Sequence, residues 1–458
     1  MEQKTYKLEP IKVWGKAKEL RRQFYQGFLE AGEKGGIRYA GGAVAFHALT
    51  QGLGRDVYNL TGEPYGATAA WNEPFGVAAQ EACDRAGIAR DLCAYLRNYW
   101  GSILLDKYVF TDGTVLPGWP KPDFFFATHF CCSHAKWYQY AAELEGLQKP
   151  DGGLPVYFID GALYETSNPE DERFQRALDY VVQQLSEAIP WMEKVTGRKY
   201  NDELFLEAAE NEIDSRALWA QIGALNQVVP APLEEKSMYS LYVFDTLCPH
   251  WKTTVDFYKE LKDEVEDRVA RGVGAIYPEK VRLIADASQP PWAFLQIFRF
   301  LAQEFGANVV ASMYALLFAA WHLEENGALT PAQTLEEQGI DLKSSKNREE
   351  ALRIYAEQTL LGSPLQMVFS VPIRSKVLEQ MAKDWKAQAV LIHLNRGCEG
   401  TASGQMQNKL ELTKLGIPVF TYEGNMGDPR DFDLAKTKNK METFMDSLGI
   451  ERLNRATS

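Results

Sequence analysis

Along the chain, two stretches alternate short apolar runs with longer segments of helical period, and a third stretch between them is helical throughout. The run "PDFFFATHF" predicts a strand over 124–130, followed by a helical pattern from about His134, and "LPVYFIDG" predicts the next strand. From Lys280 the alternation resumes. "KVRLIADA", "ANVVASMY", "AVLIHLN" and "IPVFTYEG" read as strands, separated by helices through "PPWAFLQIFRFLAQEFG", near 371–387, from about Thr401, and near 433–447. Between Asp171 and Gly272 the apolar positions recur at helical spacing in "RFQRALDYVVQQLSEAIPWMEKV", "NDELFLEAAENEIDSRALWAQIGALNQVV" and "TTVDFYKELKDEVEDRVARG". Strands that alternate with helices predict parallel sheets covered on both faces. The expected fold is therefore α/β, with two doubly wound parallel-sheet domains over 36–165 and 280–458. A helical segment over 1–35 precedes them, and a helical connector over 166–279 joins them.

Composition sharpens this reading. With 458 residues, 46% of them apolar and 12% aromatic, the chain can bury a large core. Its net charge of -13, from 62 acidic and 49 basic residues, argues against nucleic acid as the main partner, since that binding rests on basic side chains neutralising phosphates. The charged start "MEQKTYKLEP" lacks the apolar core of a secretory signal, and no run reaches the ~20 apolar residues of a membrane span. A cytoplasmic protein that binds no membrane is expected. The sequence holds no CxxC, HExxH or P-loop and no GxGxxG after a strand, so any use of ATP falls to a partner.

The six cysteines, Cys83, Cys93, Cys131, Cys132, Cys248 and Cys398, are too few for a disulfide scaffold at this length. In open parallel sheets, ligands bind beyond the carboxyl ends of the strands. Cys131 and Cys398 each follow such an end, one in each predicted domain, and Cys93 precedes a helical run in "ARDLCAYLRNYWGSIL". Three thiolates meeting in an interdomain cleft would leave one corner of a cubane iron-sulfur cluster open. The helix after Cys398 would aim its amino-terminal dipole and the amides of Gly400 and Thr401 at that anion. A single cysteine in such a chain is most often a small buried hydrophobe, and spacing alone leaves both readings open. Cys83 and Cys248 are read as structural. His129, His134, His250 and His322 are read as packing or surface groups, with His322 in a helical "FAAWHLEE".

"HLNRGCEGT" followed by "LGIPVFTYEGNMGDPRDFD", together with "DLCAYLRN", "FCCSHAKW" and "VRLIADASQPPWAFLQIFRFLAQEFGANVV", resembles the benzoyl-CoA reductase and 2-hydroxyacyl-CoA dehydratase superfamily. The likeness spans about Gly36 to Leu448. It implies a [4Fe-4S] cluster held by Cys93, Cys131 and Cys398 in the interdomain cleft. The second motif commonly reads Cys-Asp in relatives and Cys131-Cys132 here, which leaves a one-residue shift of that ligand open. The resemblance also implies a homologous cluster-binding partner subunit, an ATP-hydrolysing iron-sulfur activator, and an acyl-CoA substrate.

Within that superfamily the expectation is the larger catalytic subunit of an ATP-dependent benzoyl-CoA reductase, acting on an aromatic acyl-CoA. A 2-hydroxyacyl-CoA dehydratase subunit and a non-catalytic electron-transfer subunit are the alternatives. Radical reduction needs a nearby acid. His47, where relatives tend to carry a carboxylate, and His393, on the strand leading to Cys398, are the candidates for catalytic proton donors, while Asn395 and Arg396 are read as only bracing the Cys398 turn.

Overall fold

The computed structural model describes residues 6–42, 46–60, 72–110, 112–129, 131–146, 154–160, 168–286, 294–316, 319–363 and 370–453; the side chains of Cys132, Phe294 and Glu399 lie outside that description, as does Ala45. In chain order the strands are β1 (Ile37–Ala40), β2 (Val57–Leu60), β3 (Lys107–Val109), β4 (Val115–Pro117), β5 (Phe124–Thr128) and β6 (Val156–Ile159). They are followed by β7 (Val281–Ala285), β8 (Ala307–Ser312), β9 (Trp321–Leu323), β10 (Leu329–Pro331), β11 (Ala389–Asn395) and β12 (Val419–Gly424).

Two four-stranded sheets form, ordered β2-β1-β5-β6 and β12-β11-β7-β8. Every pairing within them is parallel. When the strands of each sheet are counted by their appearance in the chain, the first reads 2-1-3-4 from one edge and the second 4-3-1-2, which is the same order read from its other edge. In both, the first and third strands are neighbours, β1/β5 in one sheet and β7/β11 in the other, and the winding reverses between them. Such a reversal opens a crevice beyond the carboxyl ends.

The pleat explains how "FFFA" fills two cores at once. Phe124 and Phe126 join one buried cluster with Tyr39, Val57 and the helices Glu172–Thr196, Asp202–Leu225 and Arg348–Leu361. Phe125 and Ala127 point to the other face, into a cluster with the helices Trp14–Lys34, Ala94–Leu104 and Cys132–Gly146. Each fully buried phenylalanine contributes about 1.5–3 kcal/mol, so this uninterrupted apolar run is what a strand covered on both faces requires. The two longest helices have clear local signals. Gly197, at φ 70°, ends Glu172–Thr196 in the left-handed conformation, and the Asn201 side chain starts the next helix by accepting from the amides of Glu203 and Leu204.

Several expectations are corrected. His322 lies in β9, not in a helix: β9 pairs antiparallel with β10 across a turn in which Gly327 takes φ 89°. The strand expected over 124–130 ends at Thr128, and Phe130 lies outside the described residues. The single helix expected from Thr401 is broken into Glu399–Ala402 and Gln405–Lys414. Gly404 stands at the break with φ 75°, and the Val371 side chain occupies the place where a Cβ would project. Among the described residues, no helix is long and apolar enough to cross a membrane.

One buried acid has a pH-dependent consequence. Glu235 is 1% exposed and accepts a hydrogen bond from the Ser312 hydroxyl at the end of β8. Burial pushes its pKa up to about 8, with the Ser312 bond opposing, against about 4.3 in an unfolded chain. The folded state therefore holds the proton more tightly, and this contribution to stability is present at low pH and lost as pH rises through about 8. Glu235→Gln is expected to flatten the fall in thermal midpoint between about pH 4 and about pH 8, measured by calorimetry across that range. An unchanged slope would show that Glu235 does not titrate there.

Candidate functional site

Each of the three cysteines immediately precedes a helix. Cys93 is the residue before Ala94–Leu104, Cys131 comes before Cys132–Gly146, and Cys398 comes before Glu399–Ala402. Their carbonyls accept the first helical bonds, from Arg97, Ala135 and Ala402 respectively. Cys131 and Cys398 follow the third strands of their sheets, β5 and β11, so the two thiols occupy matching places at the two crevices. A backbone bond joins the halves directly, with Ala94 N donating to Gly397 O at 3.2 Å.

The thiols lie close enough to act on one another. Burial, reinforced by the neighbouring Cys398 and Cys131, pushes the Cys93 pKa well above the usual thiol range. Burial likewise raises that of Cys398; the Thr401 hydroxyl and the amides of Thr401 and Gly400 oppose it, and Cys131 adds to it. The amide of His134 donates to Cys131 Sγ at 3.5 Å. Helix amides thus reach all three sulfurs, since those of Leu96 and Tyr95 do the same at Cys93. Three half-buried thiols held near one another cannot readily ionise together without a compensating cation, and an iron-sulfur core supplies one while accepting amide bonds at its sulfurs. The donor set fits that group. Among the described residues, no three His, Cys, Asp or Glu side chains converge on a single metal ion. This is compatible with a polynuclear cluster, in which each thiolate binds its own iron.

The surrounding turns are held by residues that the sequence reveals only in part. Asn395 Oδ1 accepts from Gly397 N at 2.9 Å and Met426 N at 3.2 Å, so it braces the Cys398 turn as expected. The Arg396 side chain, expected to brace the same turn, is instead exposed and lies 3.6 Å from Glu423. Arg374 carries no such signal. Its buried guanidinium donates to Thr401 O at 2.9 Å and to Ser403 O, capping the short helix that Cys398 opens. Its partner is a turn almost thirty residues away, which no local pattern reveals.

The two candidate histidines are both buried and lie in different halves. His393 is 2% exposed within β11, its ring stacked 5.0 Å from that of Tyr422. His47 begins the short helix His47–Gln51 beyond β1, fully buried, with Nδ1 3.0 Å from both Tyr39 Oη and Asn59 Nδ2. His134 and His250 are buried and His129 is exposed at 2.9 Å from Asp160. Cys83 donates to Arg97 O at 3.1 Å, and Cys248 lies 3.4 Å from Thr254 Oγ1. Both are fully buried, and burial pushes both thiols up to about 12.

The sequence is also similar to known proteins. The chain is 24% identical to the (R)-2-hydroxyisocaproyl-CoA dehydratase alpha subunit of Clostridioides difficile, over 84% of this chain and 86% of that protein. It is 23% identical to the (R)-phenyllactyl-CoA dehydratase alpha subunit of Clostridium sporogenes, over 79% of each. It is 25% identical to a benzoyl-CoA reductase subunit of Thauera aromatica, over 81% of this chain and 79% of that protein. The pattern that defines the 2-hydroxyglutaryl-CoA dehydratase D-component family matches residues 68–448, most of the chain, and this protein belongs to that family.

Proposed function

We propose that this chain is the cluster-carrying catalytic subunit of an enzyme that reduces an aromatic acyl-CoA by single-electron steps, with Cys93, Cys131 and Cys398 holding a [4Fe-4S] group between α/β units at 36–165 and 280–458. The observation that supports the reading is the placement of three cysteines, each at the start of a helix and drawn from both halves, near enough to raise one another's pKa. When bound, such a cluster supplies low-potential electrons one at a time and an iron free of protein ligand.

The chain's own residues provide the rest. Amides at the helix starts steady negative charge at the sulfurs. The carboxyl-end crevice orients the thioester and keeps water from the radical anion. His393 and His47 serve as the proton groups, one in each half, and His393 is the nearer in sequence to a proposed ligand. A related polypeptide closes the cleft, and an ATP-hydrolysing iron-sulfur partner delivers the electrons; the relatives' own names, each given as one subunit of an enzyme, support an assembly of this kind.

Dehydration of a 2-hydroxyacyl-CoA is the second reading, favoured by the two relatives named as dehydratases. The complex, reconstituted anaerobically with a strong reductant, is to be given benzoyl-CoA and, separately, a 2-hydroxyacyl-CoA. A dearomatised thioester from the first supports ring reduction. An enoyl-CoA from the second with no turnover of the first would replace it with dehydration. With the cluster loaded, His393→Ala is expected to lower turnover about 100-fold while substrate binding persists; near-normal turnover would move the proton-donor role elsewhere.

A further inference from the structure

The helix Asp202–Leu225 carries a buried charge cluster that the cysteine site does not use. Arg216 Nη2 lies 3.1 Å from Glu212 Oε1, and Arg216 Nε lies 3.4 Å from Asp245 Oδ1. Glu212 is satisfied at one oxygen, since its Oε2 accepts from Ala48 N and from the Tyr355 hydroxyl, both at 2.7 Å, while Oε1 has only the Arg216 ion pair. Asp245 is not. It is fully buried, and among the described residues neither of its oxygens accepts a well-aligned hydrogen bond. Two carboxylates thus face one guanidinium, and a net buried charge is costly unless a proton neutralises it. Asp245 is the group with least to lose by holding that proton.

Space adjoins it. Asp245, Glu212 and Arg216 wall a cavity that offers water about 30 Å³, with Thr359 and Ser363 also in its lining, enough for a water molecule or two. Ala319 and Ala320, also in its wall, follow β8, while Ala48 at Glu212 follows β1. Segments that follow the carboxyl ends of strands in both sheets thus meet at the cluster. Next to the cluster is His250, 4% exposed, with no hydrogen-bond partner for either ring nitrogen among the described residues. It borders an open groove that offers water about 310 Å³ beside Trp251 and Asn211.

We propose that His250 and Asp245 form a proton path from the surface groove to the cavity that Asp245 walls, supplying the acyl-CoA reaction. The proposal rests on the reading given under Proposed function. Hydronium in the groove protonates one ring nitrogen of His250, and the other nitrogen releases its proton through water beside Arg216 to the Asp245 carboxylate. The Asp245 carboxyl then gives its proton to cavity water and on to the reduced substrate. Each transfer moves one proton and no electrons. Ring reduction takes up two protons with its two electrons from the low-potential donor, so a path from bulk water has a use there that dehydration, which needs no net proton, lacks.

Titration accords with this geometry. Burial raises Asp245 to about 7, with Arg216 opposing and Glu212 adding to the rise. The other titratable groups that face the cluster are Cys248, Tyr258, Tyr355 and His250, and burial keeps all four neutral at that pH.

Two measurements on the reconstituted complex test the path. Infrared difference spectra through neutral pH are expected to show a protonated carboxyl that titrates near pH 7 and is absent from Asp245→Asn; its absence from the unsubstituted complex overturns the assignment whatever the activity. Asp245→Asn and His250→Gln, with iron content unchanged, are each expected to slow turnover about 10-fold or more and to enlarge the solvent deuterium isotope effect. Asp245→Asn is also expected to remove the pH dependence near neutrality. Wild-type rate and pH profile in both variants overturn the path. If the complex turns over no acyl-CoA at all, the reading under Proposed function has failed, while the infrared band still decides where the proton resides.

Discussion

Serine in place of Cys93, Cys131 or Cys398 is expected to abolish most iron and sulfide binding after anaerobic reconstitution, with turnover lost in parallel. Each thiol lies where helix amides meet it, and neighbouring thiols reinforce the resistance of Cys93 and Cys398 to ionising alone, so removing one leaves a set too small to hold a cluster. Cys83→Ala and Cys248→Ala are the controls, because both thiols are fully buried and engaged with Arg97 O and Thr254. Iron analysis and an electron paramagnetic resonance spectrum read the outcome. Full iron in Cys398→Ser would end the assignment. Iron loss in Cys132→Ala with none in Cys131→Ala would move that ligand by one residue.

The second large effect is expected at Arg374. Its guanidinium is fully buried, donates to Thr401 O and Ser403 O, and lies 3.8 Å from the buried Asp286 at the end of β7. Arg374→Met takes the guanidinium from the Asp286 carboxylate and from two carbonyls, and removing one partner of a buried pair typically costs about 3–5 kcal/mol. Denaturant unfolding measures that loss. Because the freed carbonyls belong to the turn that Cys398 opens, iron occupancy is expected to fall further than stability alone dictates. Arg374→Met combined with Asp286→Asn would recover much of the stability but not the iron. Recovery of both would mean that Arg374 acts on the fold and not on the cysteine turn.

Much of the framework is legible in the sequence because it rests on local period. The apolar runs at Phe124 and Ala389 announce strands covered on both faces, and the helical rhythm from Asp171 to Gly272 announces helices. The two small hairpins and the helix Arg348–Leu361 escape, since three-residue strands such as β9 carry too little pattern to outweigh the helical spacing around His322. At the site, the cysteines stand out because chemistry and strand ends coincide there. Arg374, and the Glu212, Arg216 and Asp245 cluster, do not, because a buried charge becomes intelligible only beside a partner far away in the chain. For His47 the sequence indicates a polar group in an apolar stretch but not that Tyr39 and Asn59 both meet its Nδ1.

The matching positions of Cys131 and Cys398, with Cys93 beside them, have a mechanical side. The described backbone joins the two crevices at this point by the Ala94–Gly397 bond, a pin driven through halves that already share one apolar core. A group gripped by thiols from both halves would act there as a rivet. The rivet would fasten the rim of the cleft where the shared core ends, so the integrity of that rim and the presence of its cofactor become one mechanical state.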